Sequence, residues 1–213
     1  MNNEEIIIKK IVEEVVKRLQ CTNEAYVPIG ISNRHVHLTT EDLEVLFGKG
    51  YQLTKMKDLK QPGQYAAQET VTVIGPKGEF KGVRILGPVR KETQLELSLS
   101  DGFKLGVNVP VRESGKTEGT PKIVLKGPMG TVEKDQAVIA ALRHIHMPAV
   151  FAENYGFKDK EMVTVEVGDV RRVSFHNVLV RVSKDFDLEM HLDIDEANAA
   201  AICNGDLGKI LKD

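Results

Sequence analysis

From Val27 to Ile194 apolar and polar residues tend to alternate with a period of two, the spacing of half-buried strands, whereas residues 4–20 follow a helical period. In that first stretch Ile7, Ile8, Ile11, Val12, Val15, Val16 and Leu19 form one apolar stripe. Acidic residues open it and Lys17 and Arg18 close it, as the helix dipole favours, and the polar linker CTNEAYVP follows. Further on, the alternation predicts strands over 27–38, 69–74, 79–86, 94–100, 103–109, 122–126, 161–167, 173–174, 177–183 and 188–194. GPKG, GP, DG and SG turn signals punctuate them. Three short helices interrupt the strands. TTEDLEVLFGKG has Thr39 or Thr40 as cap and Gly48 as stop; EKDQAVIAAL covers 133–142; DEANAAAICNGD has Asp193 or Asp195 as cap and Asn204-Gly205 as stop. Many short strands with few short helices predict β-barrels rather than a parallel α/β sheet.

Composition narrows the class without naming it. A chain of 213 residues can bury one large core or two small ones, and 41% hydrophobic with 28% charged residues is ordinary for a globular protein. A net charge of −2 leaves no electrostatic footprint for nucleic acid or an anionic membrane. No apolar run approaches the ~18 residues a membrane span needs, and the N-terminus lacks the basic and apolar regions of a secretory signal. Two cysteines, Cys21 and Cys203, stand far apart outside any CxxC pattern, which argues against a disulfide framework or a thiolate metal site and fits the cytoplasm.

Histidine placement changes the picture. In an extended strand His35 and His37 of NRHVHL point to the same face, with Cβ atoms about 6.5–7 Å apart, close enough to converge on one ion. RHIHMP repeats the pattern at His144 and His146, and Pro148 pushes Met147 towards extended geometry. His191 lies on the polar face of LEMHLDI with Glu189 and Asp193, opposite Leu188, Met190, Leu192 and Ile194. In TQLELSLSD the same alternation sends Leu95, Leu97 and Leu99 inward and Gln94, Glu96 and Ser98 to the other side. A single HxH is more often a solvated strand face than a metal site. Two of them, with Glu96 and His191 on patterned strands, favour metal, and imidazole with carboxylate suits a catalytic zinc with an open position. Spacing alone leaves one ion or two open, and His176 stands apart as a surface residue. Arg90 follows a Gly-Pro turn and precedes the Glu96 strand, where a guanidinium fork suits a phosphate or carboxylate. No internal repeat is evident beyond the paired HVH and HIH.

Taken together, GISNRHVHLT, GPVRKETQLELS, ALRHIHM and VRVSKDFDLEMHLDIDEANAA resemble the PduL-type phosphotransacylases, the phosphate propanoyltransferases, from about Val27 to the C-terminus. The resemblance implies a mainly β fold of two β-barrel domains with short capping helices. It implies an enzyme exchanging acyl-CoA plus phosphate for acyl phosphate plus CoA, with two Zn2+ per site. Carried over, His35, His37 and Glu96 hold one zinc, and His144, His146 and His191 the other. Arg90 matches the phosphate-binding arginine, with Ser114 in VRESG beside it. Candidate CoA contacts are Gly30, Ile31, Ser32, Lys77, Arg84 and Asn198. Residues 25–33 with 143–213 would form one barrel and 34–142 the other, after a helix and linker over 1–24. Some members of the family carry an N-terminal extension for bacterial microcompartments, and residues 1–20 look like one; a helix packing on its own barrel or mediating a homo-oligomer competes with that reading.

Two rivals stand beside the transferase. A cupin-like zinc hydrolase or thioesterase would use HVHLTTE, but Glu41 opens a helix there and no second cupin motif follows. A shell-associated binding protein would hold zinc only structurally. The preferred acyl group is not legible, because propanoyl and acetyl differ by one methylene, worth about 1–3 kcal/mol in a pocket.

Overall fold

The structure, a computed structural model, describes residues 24–212. The amphipathic stretch 4–20 and Cys21 lie outside the described residues. In chain order the elements are β1 (Ala25–Ser32), β2 (His35–His37), α1 (Thr40–Phe47), β3 (Lys55–Asp58), β4 (Tyr65–Ile74), β5 (Glu79–Gly87) and β6 (Gln94–Glu96). Then come α2 (Leu99–Leu105), β7 (Val111–Arg112), β8 (Ile123–Lys126), β9 (Thr131–Lys134), β10 (Val138–Ala141), β11 (His144–Pro148) and α3 (Ala149–Tyr155). The last are β12 (Met162–Val167), β13 (Val173–Ser183), β14 (Glu189–Asp193), α4 (Ile194–Ala200) and β15 (Leu207–Leu211). No helix among the described residues is long and apolar enough to cross a membrane.

Two sheets divide the strands. One is a closed barrel ordered β1–β14–β11–β13–β12–β15. Its first strand is parallel to β14 and antiparallel to β15, so β1 is hydrogen-bonded to the last strands of the chain. The other is a nine-stranded sheet curled into a half-barrel, ordered β7–β10–β6–β2–β5–β4–β8–β9 with β3 added on β4. Each has its own core. Val27, Ile29, Ile145, Met147, Val165, Val180, Met190 and Leu192 fill the barrel, and Val36, Leu38, Ile85, Leu95, Leu105 and Leu125 fill the half-barrel. Alternation behaves as expected in β14, where Met190 and Leu192 are buried while Glu189, His191 and Asp193 face the other way. Leu95 and Leu97 are buried likewise, but Leu99 starts a helix and is exposed.

Local sequence explains why four short helices stop the strands where they do. Thr39 caps α1 by accepting the Asp42 N–H, and Gly48 ends it. Ser98 and Asp101 form a reciprocal capping box at α2, and Asp193 with Glu196 does the same at α4. The α2 box overturns the strand expected over 103–109, because Ser98 takes the backbone out of the ladder at once. Helix 133–142 is also absent: Thr131–Lys134 is β9 and Val138–Ala141 is β10. There Ala137, Val138, Ile139 and Ala140 are all buried, and β10 lies parallel between β6 and β7. A strand buried on both faces loses its alternation and mimics a helical run. The two pieces expected at 173–174 and 177–183 are one strand, β13, bent at a register shift where Asn177 takes a left-handed conformation. The last helix ends at Ala201 in the left-handed region, before Asn204-Gly205. Strands β3, β7 and β15 and helix α3 had no counterpart in the sequence reading.

Candidate functional site

Two groups of side chains converge among the described residues: His35, His37 and Glu96 on the half-barrel, and His144, His146 and His191 on the barrel. Strand pairing brings each together. β2 runs antiparallel to β6 with His35 opposite Glu96, and β11 runs antiparallel to β14 with His144 opposite His191. Each HxH therefore supplies two candidate ligands two residues apart, and the neighbouring strand supplies the third directly across. The apolar residue between the histidines, Val36 or Ile145, points into the core and is fully buried.

The histidines are oriented from behind. His35 Nδ1 lies 2.8 Å from the Asn33 carbonyl, and His144 Nδ1 lies 2.8 Å from the Leu142 carbonyl. A carbonyl only accepts, so each Nδ1 carries the proton and each Nε2 keeps its lone pair. His144 Nε2 is 3.1 Å from His146 Nε2, and Glu96 reaches His35 Nε2 at 3.5 Å and His37 Nε2 at 4.0 Å. Burial, with neighbouring positive charge, pushes His37 down to about 3, His144 to about 4 and His146 to about 2. These rings are neutral at neutral pH, as metal ligands must be. Burial alone would raise Glu96, but the charge and hydrogen bond of His35, followed by His37 and His144, hold its carboxyl below the usual range. Burial works against a charged His35 too; Glu96 overrides it and raises the ring. Lone pairs aimed at one another in a buried site, beside a carboxylate kept ionised, fit a divalent cation such as zinc in each group.

An arginine flanks each HxH. Arg34 forms a two-pronged bond with Asp101, at 3.0 and 2.7 Å, and its guanidinium lies over Phe80. Arg143 bonds Glu196 at 3.1 Å and lies over Phe175. Asp101 and Glu196 are the capping-box acids of α2 and α4, so each arginine pins the helix that follows the third ligand. RHVH and RHIH are thus two copies of one construction, a repeat whose sequence signal is only four residues long. Across the middle, Ser100 N–H of α2 donates to Asp195 of α4 at 2.9 Å.

The remaining residues expected in the site are distributed as follows. Arg90 is anchored by its backbone N–H on the Leu38 carbonyl, 2.8 Å away, just past His37. Its half-buried guanidinium lacks a hydrogen-bond or ion-pair partner among the described residues. Burial, with the charge of Arg181 nearby, lowers it. Sequence reasoning missed Arg181, which pairs with His146 across β11 and β13 and lies 5.8 Å over Phe186. Ser114 donates to Glu96 at 3.3 Å, and Gln94 donates both to Glu96 at 2.6 Å and to Ser114 at 2.8 Å. Gly30 sits opposite His191, the Ile31 N–H is taken by Asn204 at 2.7 Å, and Ser32 Oγ is 3.4 Å from His35 Nδ1. Arg84 is opposite His35, yet its guanidinium donates to the Ala67 and Gln68 carbonyls, which the register shift in β4 leaves free. Asn198 is exposed on α4. Lys77 is not brought to this group: it is exposed, packs on Gly106 at the end of α2, and precedes β5 at the end away from Arg84. His176 is exposed, 2.9 Å from Thr164.

A barrel and a half-barrel carrying paired imidazole-rich clusters, with an unpaired arginine beside them, define a β-barrel enzyme-like protein with two candidate metal centres. A family model described as phosphate propanoyltransferase matches residues 28–203. The phosphate propanoyltransferase of Thermotoga maritima is 58% identical, covering 94% of this chain and 95% of the relative. Those of Clostridioides difficile and Rhodobacter capsulatus are 48% and 50% identical over 98% and 90% of this chain, and over 99% and 89% of their own. The chain belongs to the phosphate propanoyltransferase family.

Proposed function

We propose that this protein transfers an acyl group between coenzyme A and inorganic phosphate, with propanoyl-CoA as the acyl donor and the two clusters as the seat of two zinc ions. The observation that carries the reading is the unpaired Arg90 guanidinium, half-buried beside the two clusters, in which His37, His144 and His146 are held neutral. Glu96 offsets only part of the cost of burying that cation, and a phosphate dianion can engage its fork bidentately. Zinc held there supplies Lewis acidity for the thioester carbonyl and affinity for the departing thiolate.

The chain's own residues do the rest. Arg90 orients the phosphate and offsets charge as a phosphate oxygen forms its bond to the acyl carbon and the C–S pair leaves with the thiolate of CoA. Arg181, on the same side as His146, adds a second positive charge near that path. Glu96 is kept ionised chiefly by His35, and Ser114 and Gln94 hold it in place by donating to it. Direct displacement is favoured over an acyl-enzyme: Cys203 is exposed, and Ser114 donates its hydrogen bond to Glu96, a carboxylate too weakly basic to activate it. A division into 25–33 with 143–213 and 34–142 belongs to the same reading, each part contributing one cluster.

Thiol release from propanoyl-CoA, with and without phosphate, tests it in metal-loaded protein and in Arg90→Ala. Phosphate-dependent release that falls steeply in the variant is the expected result. Release indifferent to phosphate would identify a thioesterase instead, and absent release would leave a binding protein.

A further inference from the structure

The side chains of the two clusters are polar, yet the acyl chain of a thioester ends in methyl and methylene carbons. Among the described residues, one phenylalanine or tyrosine ring lies against a cluster histidine: Phe186, on the turn between β13 and β14. Its centroid is 4.5 Å from that of His146 with the planes at 80°, and the Arg181 guanidinium lies 5.8 Å over it. Phe186 is half-buried and packs into neither hydrophobic core. Its apolar surface therefore serves the site rather than the fold. That turn is held from both sheets. Leu188 anchors it on the barrel core, and Gln61, on the β3–β4 turn of the half-barrel, donates from Nε2 to the Asp187 carbonyl at 3.0 Å, beside Phe186. Gln61 is 4% exposed, and its own turn is rigid. Pro62 and Gly63, the latter at φ 77°, close that turn with a bond from the Gln64 N–H to the Gln61 carbonyl at 3.2 Å.

We propose that Phe186 is the wall against which the alkyl tail of the acyl group packs, and that Gln61 is the positioning residue that holds it there from the other sheet. The proposal rests on the acyltransferase reading of the site. The thioester lies at the opposite end of coenzyme A from its nucleotide, so a ring touching a cluster histidine meets the acyl end rather than the adenine. Such a wall selects by chain length, because a propanoyl group offers the ring one methylene more than an acetyl group. One methylene in an apolar pocket is worth roughly 10–200-fold.

The test measures phosphate-dependent kcat/KM for acetyl-CoA and for propanoyl-CoA in full-length, metal-loaded protein. The ratio of the two does not depend on how much of a variant is folded. In Phe186→Ala the propanoyl-to-acetyl ratio should fall about 10-fold or more, with the KM for phosphate unchanged. Phe186→Leu, which keeps an apolar branch, should retain most of the ratio, and Gln61→Ala should move it in the same direction by less. An unchanged ratio in Phe186→Ala, with both donors slowed alike or neither slowed, would overturn the wall. A ratio that moves in Phe186→Ala but not in Gln61→Ala would overturn the positioning role. A wild type that transfers neither acyl group to phosphate would defeat the acyltransferase reading itself, a failure distinct from both.

Discussion

The half-barrel and barrel clusters follow one backbone plan with different chemistry at one position. Both have Arg-His-x-His on a strand, a ligand opposite the first histidine, a capping box two residues after that ligand, and a salt bridge from the arginine to the box. One cluster ends in Glu96 and the other in His191. The shared plan sets where lone pairs converge. The single difference decides whether the third side chain carries a negative charge of its own, and therefore how each site should respond to mutation and to acid.

The largest expected effects come from removing ligands one cluster at a time. Glu96→Ala and His144→Ala should each lower phosphate-dependent transfer by 10³-fold or more, on the order of a lost electrostatic stabiliser, and chelation of the metal should do the same to wild type. If only one substitution matters, the clusters are not functionally equivalent. Arg90→Ala should cost about 10²-fold, mainly as a raised KM for phosphate, with Arg90→Lys recovering only part because an ammonium lacks the fork.

Stability separates the two scaffolds. Leu95 lies between Gln94 and Glu96, and Ile145 between His144 and His146, both fully buried. Leu95→Ala and Ile145→Ala should each destabilise by about 2–5 kcal/mol in denaturant titrations. Acid should act through the lowered histidines. With folded values of about 4 for His144, 3 for His37 and 2 for His146, below an unfolded value near 6.5, the unfolded chain binds more protons in that window. Stability of the metal-free protein should therefore be full above pH 6.5 and fall as the pH drops towards 4 and below. His35 is raised by Glu96 and works in the opposite sense, its contribution fading as pH rises through its folded value. In thermal melts across pH, His144→Ala should remove part of the falling limb and leave the shares of His37 and His146. The smallest effects belong to the caps: Ser98→Ala and Asp193→Ala should each cost about 1 kcal/mol, unequal losses marking one helix as the more dependent on its box.

Much of this was legible in the chain because period-two patterning reports on one-sided strands. β14, β5 and the α1 cap at Thr39 fell where the residues placed them. The six proposed ligands are brought together as two threes, since register is forced when one face must be buried. β10 was illegible because it is buried on both faces, and the start of α2 because Ser98 closes a run of alternating leucines. The repeat escaped notice for a different reason. Its arginines act through Asp101 and Glu196, 67 and 53 residues away in sequence, and no local pattern announces such pairs. Arg181 was hidden likewise, since strand register alone sets it beside His146, and Glu189 was placed on the polar face of its strand without its contact to His191.

The place of β1 carries a consequence for how the chain reaches this state in time. As the polypeptide emerges during synthesis, the half-barrel strands from His35 to Ala141 meet all of their partners within that one stretch. β1 precedes them but finds its neighbours only in β14 and β15, the final strands made. Until Leu207–Leu211 is free, an apolar strand bearing Val27 and Ile29 must wait unpaired beside a finished half-barrel. Long-range pairing of this kind is slow and exposes an edge to other chains, so closure of the barrel is both the last step of folding and the one most open to error.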